Sequence, residues 1–537
     1  MKKNLYLFQP HQSFEFNNKK SYWLPYSVGC LWSYAQQNSV VNEHYNLDGL
    51  FFKRSKINDV LEEMTDPAIA AFSCYVWNWQ YNIKMAKAIK QRWPNCLIVF
   101  GGPQVTKRPY ENSFFKKHPY IDTIINGEGE IAFENLLIDV LNNQTPKKVI
   151  SFTRLSDLNY PSPYVSGVFD KIIQDNPDVG WQMVIETNRG CPYSCTFCDW
   201  NSGLTNKVSR RREMFKDEAD LFHRIGFQEI NLTDANAGQY DEDVELVKYF
   251  AKKNLEDNAD MRLIVNFSKL KKENNLKIYH ELARGKLSPV IIVSIQDINE
   301  QVLLNIDRPS LTWDENKQIM QDLNDNYPAM APVVQFIQGL PGQTPETWKT
   351  TLSEISKFRC LPYPFLSELL VASPAYYDPT YQERFNFVYS DSTRYNINSG
   401  FFQHKFPESC VSFSKEDMVT MTLYSTIYML FGRYDIFYDS LGDQKNYYAD
   451  KFIESDMFKI LYENLYNNWS KEDKFYYTIN LDGSEDIITA CNFFKTTDKW
   501  LEAPKFYEFM YKIKERLIKD IKKFHELYEK KVPTQPF

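Results

Sequence analysis

The chain has 537 residues, with 62 Lys and Arg against 69 Asp and Glu, which gives a formal net charge of -7. This balance argues against a protein that coats nucleic acid. Hydrophobic residues make up 43% and charged residues 24%, which is typical of a globular protein, and the length predicts two or three domains. Because no signal-peptide core and no membrane-length apolar run is present, we expect a cytoplasmic protein with neither a membrane nor a nucleic acid as its partner.

Residues 1–148 alternate short apolar runs with amphipathic helical stretches. Strand candidates are "LYLF", "IAAFSCYV", "CLIVFGG" and "TIING", and "NIKMAKAIKQRW" has apolar residues at helical spacing. This alternation is the signature of a parallel sheet covered by helices on both faces, so we predict a doubly wound α/β domain. A polar, proline-bearing stretch then predicts a linker over residues 149–179.

A second alternating series predicts a further α/β domain over residues 180–375. Six strands with helices between them favour a partial (β/α)6 barrel, with strands at 182–188, 228–234, 261–267, 289–296, 332–338 and 365–372. From residue 376 to residue 537 the sequence becomes aromatic-rich and poor in glycine, and we predict a helical C-terminal domain.

Three of the nine cysteines lie within eight residues, in the stretch "ETNRGCPYSCTFCDW". Cys191, Cys195 and Cys198 have the spacing C-x3-C-x2-C, just after the first strand of the second series. A zinc site needs a fourth Cys or His, and the nearest candidates, His223 and Asp199, make no familiar zinc pattern. Thiols clustered without a function are a second alternative. An iron–sulfur cluster fits three thiolates in one loop, and its fourth iron is then open to another ligand.

The cysteine loop resembles that of the radical SAM superfamily. The resemblance implies that the three thiolates hold a four-iron, four-sulfur cluster, whose open iron binds S-adenosylmethionine (SAM) for reductive cleavage. Later stretches resemble the family's strand ends: "INLTDANAG", "IIVSIQDINEQVLLNIDRP" and "VVQFIQGLPGQT". In the second of these, Arg308 is expected to end the helix that follows the strand. By this resemblance the SAM contacts are Asp234, Asn236, Ser294, Gln296, Ile337, Gly339 and Gly342.

Residues 1–148 resemble the cobalamin-binding domain that precedes many radical SAM domains. The matching stretches are "LPYSVGCLWSY", "FSCYVWNW", "VFGGPQV" and "NGEGEIAFENLL". Glycines at strand ends allow a bulky ligand to approach the backbone. The resemblance implies cobalamin contacts at Tyr75, Trp77, Asn78, Gly101, Gly102, Gly127 and Gly129. The familiar D-x-H-x-x-G signature is absent, so no histidine is predicted as a lower axial ligand of cobalt.

Together these features predict a cobalamin-dependent radical SAM methylase that transfers a methyl group to an unactivated carbon. A radical SAM rearrangement, cyclisation or oxidation without methyl transfer is the alternative, and a non-catalytic SAM or corrin sensor is a third. A methylthio-transferase is disfavoured because residues 1–148 contain no second cysteine trio. The expected partners are a small-molecule or peptide substrate and, by the resemblance, a flavodoxin or ferredoxin as reductant.

Overall fold

The structure is a computed structural model, and most of the first 432 residues can be described. It describes residues 2–432, 449, 450, 453, 454 and 462, except 12, 13, 17, 18, 106–112, 156, 157, 159, 201–207, 211–213, 228, 288–290, 328–331, 372 and 397–399. The helical stretches "MFKILYENLY" and "FYEFMYKIKERLIKDIKKFHELYEKK" therefore lie almost entirely outside the described residues. No helix among the described residues combines the length and the apolarity that crossing a bilayer requires.

The first part of the chain alternates strands with helices. Its elements are β1 (Lys3–His11), β2 (Phe14–Phe16), β3 (Lys19–Trp23), α1 (Tyr26–Ala35), α2 (Ser39–His44), β4 (Tyr45–Lys53), α3 (Ile57–Glu63), β5 (Pro67–Ser73), α4 (Trp79–Arg92), β6 (Leu97–Gly101), α5 (Ser113–Lys117), β7 (Thr123–Asn126), α6 (Glu130–Leu141) and β8 (Val149–Ser151).

Six of these strands form one sheet in the order β4-β1-β5-β6-β7-β8. Every neighbouring pair is parallel. Successive residues of β1 enter different cores, since Leu5 and Leu7 pack on one face while Tyr6 and Phe8 pack on the other. A strand that is buried on both faces belongs to a sheet covered by helices on both sides. The predicted doubly wound sheet is confirmed.

The second part of the chain carries the barrel strands. Its elements are α7 (Asp170–Gln174), β9 (Gly180–Ile185), β10 (Asn188–Arg189), β11 (Ser209–Arg210), α8 (Met214–Ile225), β12 (Glu229–Ala237), α9 (Asp241–Glu256), β13 (Arg262–Phe267), α10 (Lys272–Arg284), β14 (Ile292–Gln296), α11 (Glu300–Asn305), α12 (Trp313–Asn326), β15 (Val333–Gln338), α13 (Pro345–Ile355) and β16 (Leu361–Leu366).

The barrel strands follow one another in chain order across two sheets. One sheet has the order β13-β12-β9-β3-β2 and the other β14-β15-β16, and β13 contacts β14. All pairs among the six barrel strands are parallel. The partial α/β barrel is therefore confirmed, with its carboxyl strand ends at one edge.

Three differences from the sequence prediction concern strand positions. The sixth barrel strand is β16 at Leu361–Leu366, not 365–372. It was not predicted because Pro362 and Pro364 have a low strand propensity. Proline is tolerated here because β16 is an edge strand, in which some backbone N–H groups have no partner strand to bond to. The hairpin strand β3 pairs with β9, so residues from the predicted first domain extend the barrel sheet. Likewise β8, inside the predicted linker, pairs with β7.

The region after residue 376 is not purely helical. It contains α14 (Pro374–Tyr377), α15 (Pro379–Phe385), β17 (Val388–Asn396), β18 (Gly400–Ser409) and α16 (Lys415–Gly432). The strands β17 and β18 form an antiparallel hairpin, which corrects the prediction of a helical domain from residue 376. The sequences of the two strands lack a clear alternation, and their aromatic residues suit a helix face and a strand equally, so the hairpin was not predicted. The helix over "DMVTMTLYSTIYMLFG" is confirmed as α16.

Candidate active site

The cysteine loop, defined as residues 186–200, follows β9 at the carboxyl end of the first barrel strand. Cys191 and Cys195 are 3% and 4% exposed, and Cys198 is partly exposed. Backbone hydrogen bonds hold the loop: Thr196 N–H donates to the Ile306 carbonyl at 3.0 Å, the Thr196 carbonyl accepts the Ala375 N–H at 2.8 Å, and Cys198 N–H donates to the Cys195 carbonyl at 3.1 Å. The three thiols thus lie in a fixed loop at the edge where parallel barrels hold their ligands.

Two cations and an amide surround two of the sulfurs. Lys269 Nζ lies 3.7 Å from both Cys191 Sγ and Cys195 Sγ. Asn236 Nδ2 donates to Cys191 Sγ at 3.2 Å. The Arg308 guanidinium also donates to Cys195. This positive surrounding suits thiolates that carry the negative charge of a metal cluster.

Three thiolates in one loop are a donor set that fits an iron–sulfur cluster. Among the residues that the structure describes, no three His, Cys, Asp or Glu side chains converge as ligands of one ion. A single zinc ion needs thiolates about 2.3 Å from one centre, whereas a cluster offers a different iron to each thiolate. Burial raises the pKa of Cys198 to about 12, so a metal must displace its proton on binding.

Asp234, predicted to contact SAM, bonds to the beginning of the cysteine loop. Its Oδ1 accepts the backbone N–H groups of Thr187 at 2.8 Å and Asn188 at 3.0 Å. Its Oδ2 accepts the Thr187 hydroxyl and, at 2.8 Å, Asn188 Nδ2. The side chain is 1% exposed, and burial raises its pKa to about 7. The carboxyl group therefore ties the end of β12 to the loop that carries the cysteines.

Asn236 and Arg308 each have a buried polar atom that lacks a partner. Asn236 Oδ1 and Arg308 Nε make no hydrogen bond, although the other ends of both side chains bond to cysteine sulfurs. A buried acceptor or donor without a partner costs about 1–3 kcal/mol. A ligand with both an amino group and a carboxylate would satisfy this pair, and SAM has both.

The predicted residues of β14 lie next to Arg308. Ser294 Oγ donates to Gln335 Oε1 at 2.8 Å, and its carbonyl accepts Arg308 Nη2 at 2.7 Å. Gln296 ends the strand with a φ of +73°, a rare conformation for a residue with a side chain. Strained residues of this kind cluster at ligand sites, so Gln296 keeps its place among the candidates.

The glycine-bearing turn after β15 is shaped by one buried glutamine. Gln343 Oε1 accepts the Gly339 N–H at 2.7 Å, and its Nε2 donates to the Ile337 carbonyl at 2.8 Å. Gly339 and Gly342 have φ values of +88° and +101°, which only glycine adopts readily. A Cβ at Gly339 would also lie 2.6 Å from Met418 Cε. The turn therefore presents backbone at the carboxyl end of β15.

At the carboxyl edge of the first sheet, Tyr75 and Trp77 form an aromatic pair. Their rings are stacked with centroids 4.5 Å apart and planes 11° from parallel. Asn78 is fully buried: its Oδ1 accepts the Tyr75 N–H at 2.8 Å and its Nδ2 donates to the Ser73 carbonyl at 3.0 Å. Asn78 thus shapes the turn, while Tyr75 and Trp77 provide a flat apolar surface.

Arg54 lies beside this pair and has no acidic partner among the described residues. Its Nη2 donates to the Trp77 carbonyl, while Arg54 Nε and Trp77 Nε1 make no hydrogen bond. Burial lowers the pKa of Arg54 to about 10. Burial and the Arg54 charge lower the pKa of nearby His11 to about 3, so this imidazole is neutral at neutral pH. Two donors are therefore left for a ligand with acceptor groups, such as the amide-bearing corrin ring.

Four glycines are predicted to let a corrin ring approach the backbone, but at three of them a side chain would collide with the protein itself. A Cβ would come within 3 Å of protein atoms at Gly102, Gly127 and Gly129. Gly102 has a φ of +93°, and its Cβ would lie 2.8 Å from the backbone of Cys74. Only at Gly101 is there room, with the nearest atom 3.7 Å away. Gly102 and Gly127, both with positive φ, are thus required by the sheet edge itself, whereas a Cβ at Gly129 would meet only the end of the Leu31 side chain.

Lys269 was missed in the sequence, although its position gave a usable signal. It follows the end of β13 by two residues and so lies at the carboxyl edge of the third barrel strand. Its ammonium group lies over the Tyr193 ring, 4.6 Å from the centroid, inside the cysteine loop. A lysine at a strand end of this barrel is a candidate by position alone.

Comparison with known proteins agrees with this geometry. The family model described as "Radical SAM superfamily" matches residues 185–355. The chain is 31% identical over 354 residues to the cobalamin-dependent radical SAM methyltransferase TokK of Streptomyces tokunonensis, which covers 62% of this chain and 51% of TokK. It is 29% identical over 357 residues to a 2-(S-pantetheinyl)-carbapenam-3-carboxylate methyltransferase of Streptantibioticus cattleyicolor, with the same two shares. The chain thus spans about half the length of these curated relatives.

The fold also matches a solved structure. The radical S-adenosylmethionine methyltransferase TsrM from Kitasatospora setae, with tryptophan and a SAM analogue bound, superposes with a TM-score of 0.57 at 12% identity, covering 80% of this chain and 89% of TsrM. At this identity the match concerns the fold alone. Residues 185–355 of the chain therefore match the radical SAM family model, and the chain is also similar in sequence to two cobalamin-dependent or carbapenam methyltransferases over about half of their length.

Proposed function

We propose that this chain is a radical SAM enzyme that transfers a methyl group from cobalamin to an unactivated carbon. The observation that carries the proposal is the cysteine loop at the carboxyl edge of the barrel, with the ligand edge of a doubly wound sheet directly beside it. Tyr75 on that sheet is close enough to Glu186 of the cysteine loop for the carboxylate to help raise the Tyr75 pKa, after burial. The two proposed cofactor sites are thus neighbours.

In this proposal Cys191, Cys195 and Cys198 hold the cluster. Such a cluster supplies the electron for reductive cleavage of SAM, and bound methylcobalamin supplies the methyl group. Lys269 and Arg308 offset the negative charge of the thiolates, and Asp234 holds the loop in position through Thr187 and Asn188. The residues proposed to line the SAM site are Asn236, Ser294, Gln296, Ile337, Gly339 and Gly342.

On the first sheet, Trp77 and Tyr75 are proposed to contact the corrin ring. Trp77 Nε1 and Arg54 Nε are the buried donors available to its amide groups. His11 lies near Trp77, with ring centroids 6.4 Å apart, and its neutral state is set by burial. Asn78 and the glycines of the edge act by shaping the turns, with Gly101 the one of the four that leaves room.

The substrate is proposed to be a small molecule or a peptide. The relative from Streptantibioticus cattleyicolor is named for a small-molecule substrate, which favours the first class. We expect the protein to work in the cytoplasm and to receive electrons from a flavodoxin or ferredoxin.

The test replaces all three loop cysteines by Ala and measures iron after anaerobic reconstitution with iron and sulfide. The unmodified protein should bind about four irons and cleave SAM on reduction, and the triple variant should do neither. Cys360→Ala is the matched control, because this buried thiol lies in the barrel core, away from the loop, and should leave iron binding unchanged. Cluster absorbance retained in the triple variant would contradict the proposal.

A further inference from the structure

A network of buried charges surrounds Arg189, two residues before the first loop cysteine. Arg189 binds Glu186 with two hydrogen bonds, Nε to Oε1 at 3.0 Å and Nη2 to Oε2 at 2.7 Å. Its Nη2 also lies 2.9 Å from Glu130 Oε1, and its Nη1 lies 3.4 Å from Glu128 Oε2. One guanidinium therefore contacts three carboxylates.

The network joins the two sheets at their ligand edges. Glu128 and Glu130 follow β7, at the carboxyl edge of the first sheet, and Glu130 begins α6. Glu186 and Arg189 follow β9, at the carboxyl edge of the barrel. The Arg189 side chain is 19% exposed, and those of Glu128 and Glu130 are 7% and 5% exposed. The contacts thus connect the loop of one proposed cofactor to the edge that holds the other, out of reach of most solvent.

Two further residues complete the network. Arg154 lies 3.5 Å from Glu128 Oε1, and the Tyr160 hydroxyl donates to Glu186 Oε2 at 3.1 Å. The Arg189 guanidinium carbon also lies 5.8 Å from the centroid of the Tyr160 ring. Arg189 thus binds Glu186 bidentately within the loop and reaches Glu130 and Glu128 with its Nη groups, a division of contacts that a planar guanidinium allows and a point charge does not.

Stability alone does not explain such a network. Taking several charges out of water costs free energy that their attraction often only offsets, and apolar replacements of buried ion pairs are frequently as stable. A guanidinium whose orientation is fixed by its two bonds to Glu186 does, however, present its Nη groups to Glu128 and Glu130 in one direction, which favours one relative position of the two elements. A displacement of about 1 Å between reacting groups can cost on the order of 100-fold in rate.

We propose that Arg189 is a positioning residue that clamps the cysteine loop to the carboxyl edge of the first sheet and so fixes the separation of the two cofactors. The inference rests on the proposed function, since it requires a cluster at the loop and a corrin at the sheet edge. It assigns Glu128 and Glu130 to the first side of the clamp and Glu186 to the second.

The test compares Arg189→Met, Arg189→Lys and Glu130→Gln with a surface control. The control is Arg92→Met, which removes an arginine from a single exposed pair with Glu62. Each protein is loaded anaerobically with iron, sulfide and hydroxocobalamin, and iron and cobalt are quantified. The magnetic coupling between cob(II)alamin and the reduced cluster is then measured by electron paramagnetic resonance, because this coupling falls with the cube of their separation.

We expect all four variants to bind both cofactors within about twofold of the unmodified protein. The coupling signal should shift or broaden in Arg189→Met and Glu130→Gln and stay unchanged in Arg92→Met. In Arg189→Lys, which keeps the charge but not the planar guanidinium, the change should be smaller than in Arg189→Met. An unchanged coupling in Arg189→Met and Glu130→Gln, or loss of iron from Glu130→Gln, would overturn the clamp while leaving the proposed function intact. Absence of cobalt from the unmodified protein would contradict both.

Discussion

Replacing Asp234 by Ala tests whether this residue holds the cysteine loop or binds SAM. The carboxyl group accepts two backbone N–H groups, those of Thr187 and Asn188, and both lie in a buried part of the loop. Each buried donor left without a partner costs about 1–3 kcal/mol. The two amides together therefore predict a loss of roughly 2–6 kcal/mol in the free energy of unfolding.

The loss should appear first in the cysteine loop, because the bonds that disappear fix its beginning. Asp234→Ala should have a lower urea midpoint by tryptophan fluorescence and should retain less iron after desalting. Asp297→Ala is the matched control, since Asp297 is equally buried and accepts hydrogen bonds from Asn299, Gln343 and Thr351. It should lose stability but keep its iron.

The opposite pattern would refute this reasoning. If Asp234→Ala kept its stability and its iron but lost SAM binding, measured by equilibrium dialysis, the carboxyl group would be a direct SAM contact. The original expectation from the sequence would then hold, and the hydrogen bonds to the loop would be dispensable.

Three further predictions concern the same sites. Lys269→Met should lower the reduction potential of the bound cluster, since it removes a positive charge 3.7 Å from two sulfurs, and an electron paramagnetic resonance titration should show no such shift for the exposed Lys248→Met. Trp77→Ala should lose cobalamin in a desalting assay but keep its iron, whereas Trp93→Ala, which removes a partly buried tryptophan from the far end of α4, should keep both. Burial raises the folded-state pKa of Asp234 to about 7, above the unfolded value of about 3.9. The group therefore contributes stability below about pH 4 that is lost as the pH rises towards 7, so the free energy of unfolding of Asp234→Asn should increase relative to that of the unmodified protein over this range. A pH-independent difference between the two proteins in urea melts would contradict the shift.

The sequence was sufficient for the architecture where the apolar pattern was continuous. Strands such as β5 and β15 are buried runs between helices of clear amphipathic spacing, and they lie close to their predicted positions. The apolar pattern did not predict the structure where the same residues are compatible with both a helix and a strand, or with a strand and a loop. The prolines of β16 concealed a strand, and the aromatic residues of the β17–β18 hairpin suited a helix equally well.

The spacing of the residues predicted only the local part of the candidate site, and distant residues such as Asn236 and Arg308 were named through the family resemblance. The cysteine spacing marks the loop because all three thiols lie in one short stretch. The partners that surround it come from distant strands: Lys269 follows β13, and Glu128 and Glu130 follow β7. The hydrogen bonds of Asp234 could not be predicted, because only the folded chain shows that its carboxyl oxygens accept hydrogen bonds from Thr187 and Asn188.

The central claim is that one chain holds both a cluster and a corrin. The most direct test is to reconstitute the unmodified protein anaerobically with iron, sulfide and hydroxocobalamin, desalt it, and quantify both metals per chain. About four irons and one cobalt are predicted, as the cysteine loop and the first sheet together require. About four irons without cobalt would contradict methyl transfer from cobalamin and would favour a radical SAM rearrangement, cyclisation or oxidation instead.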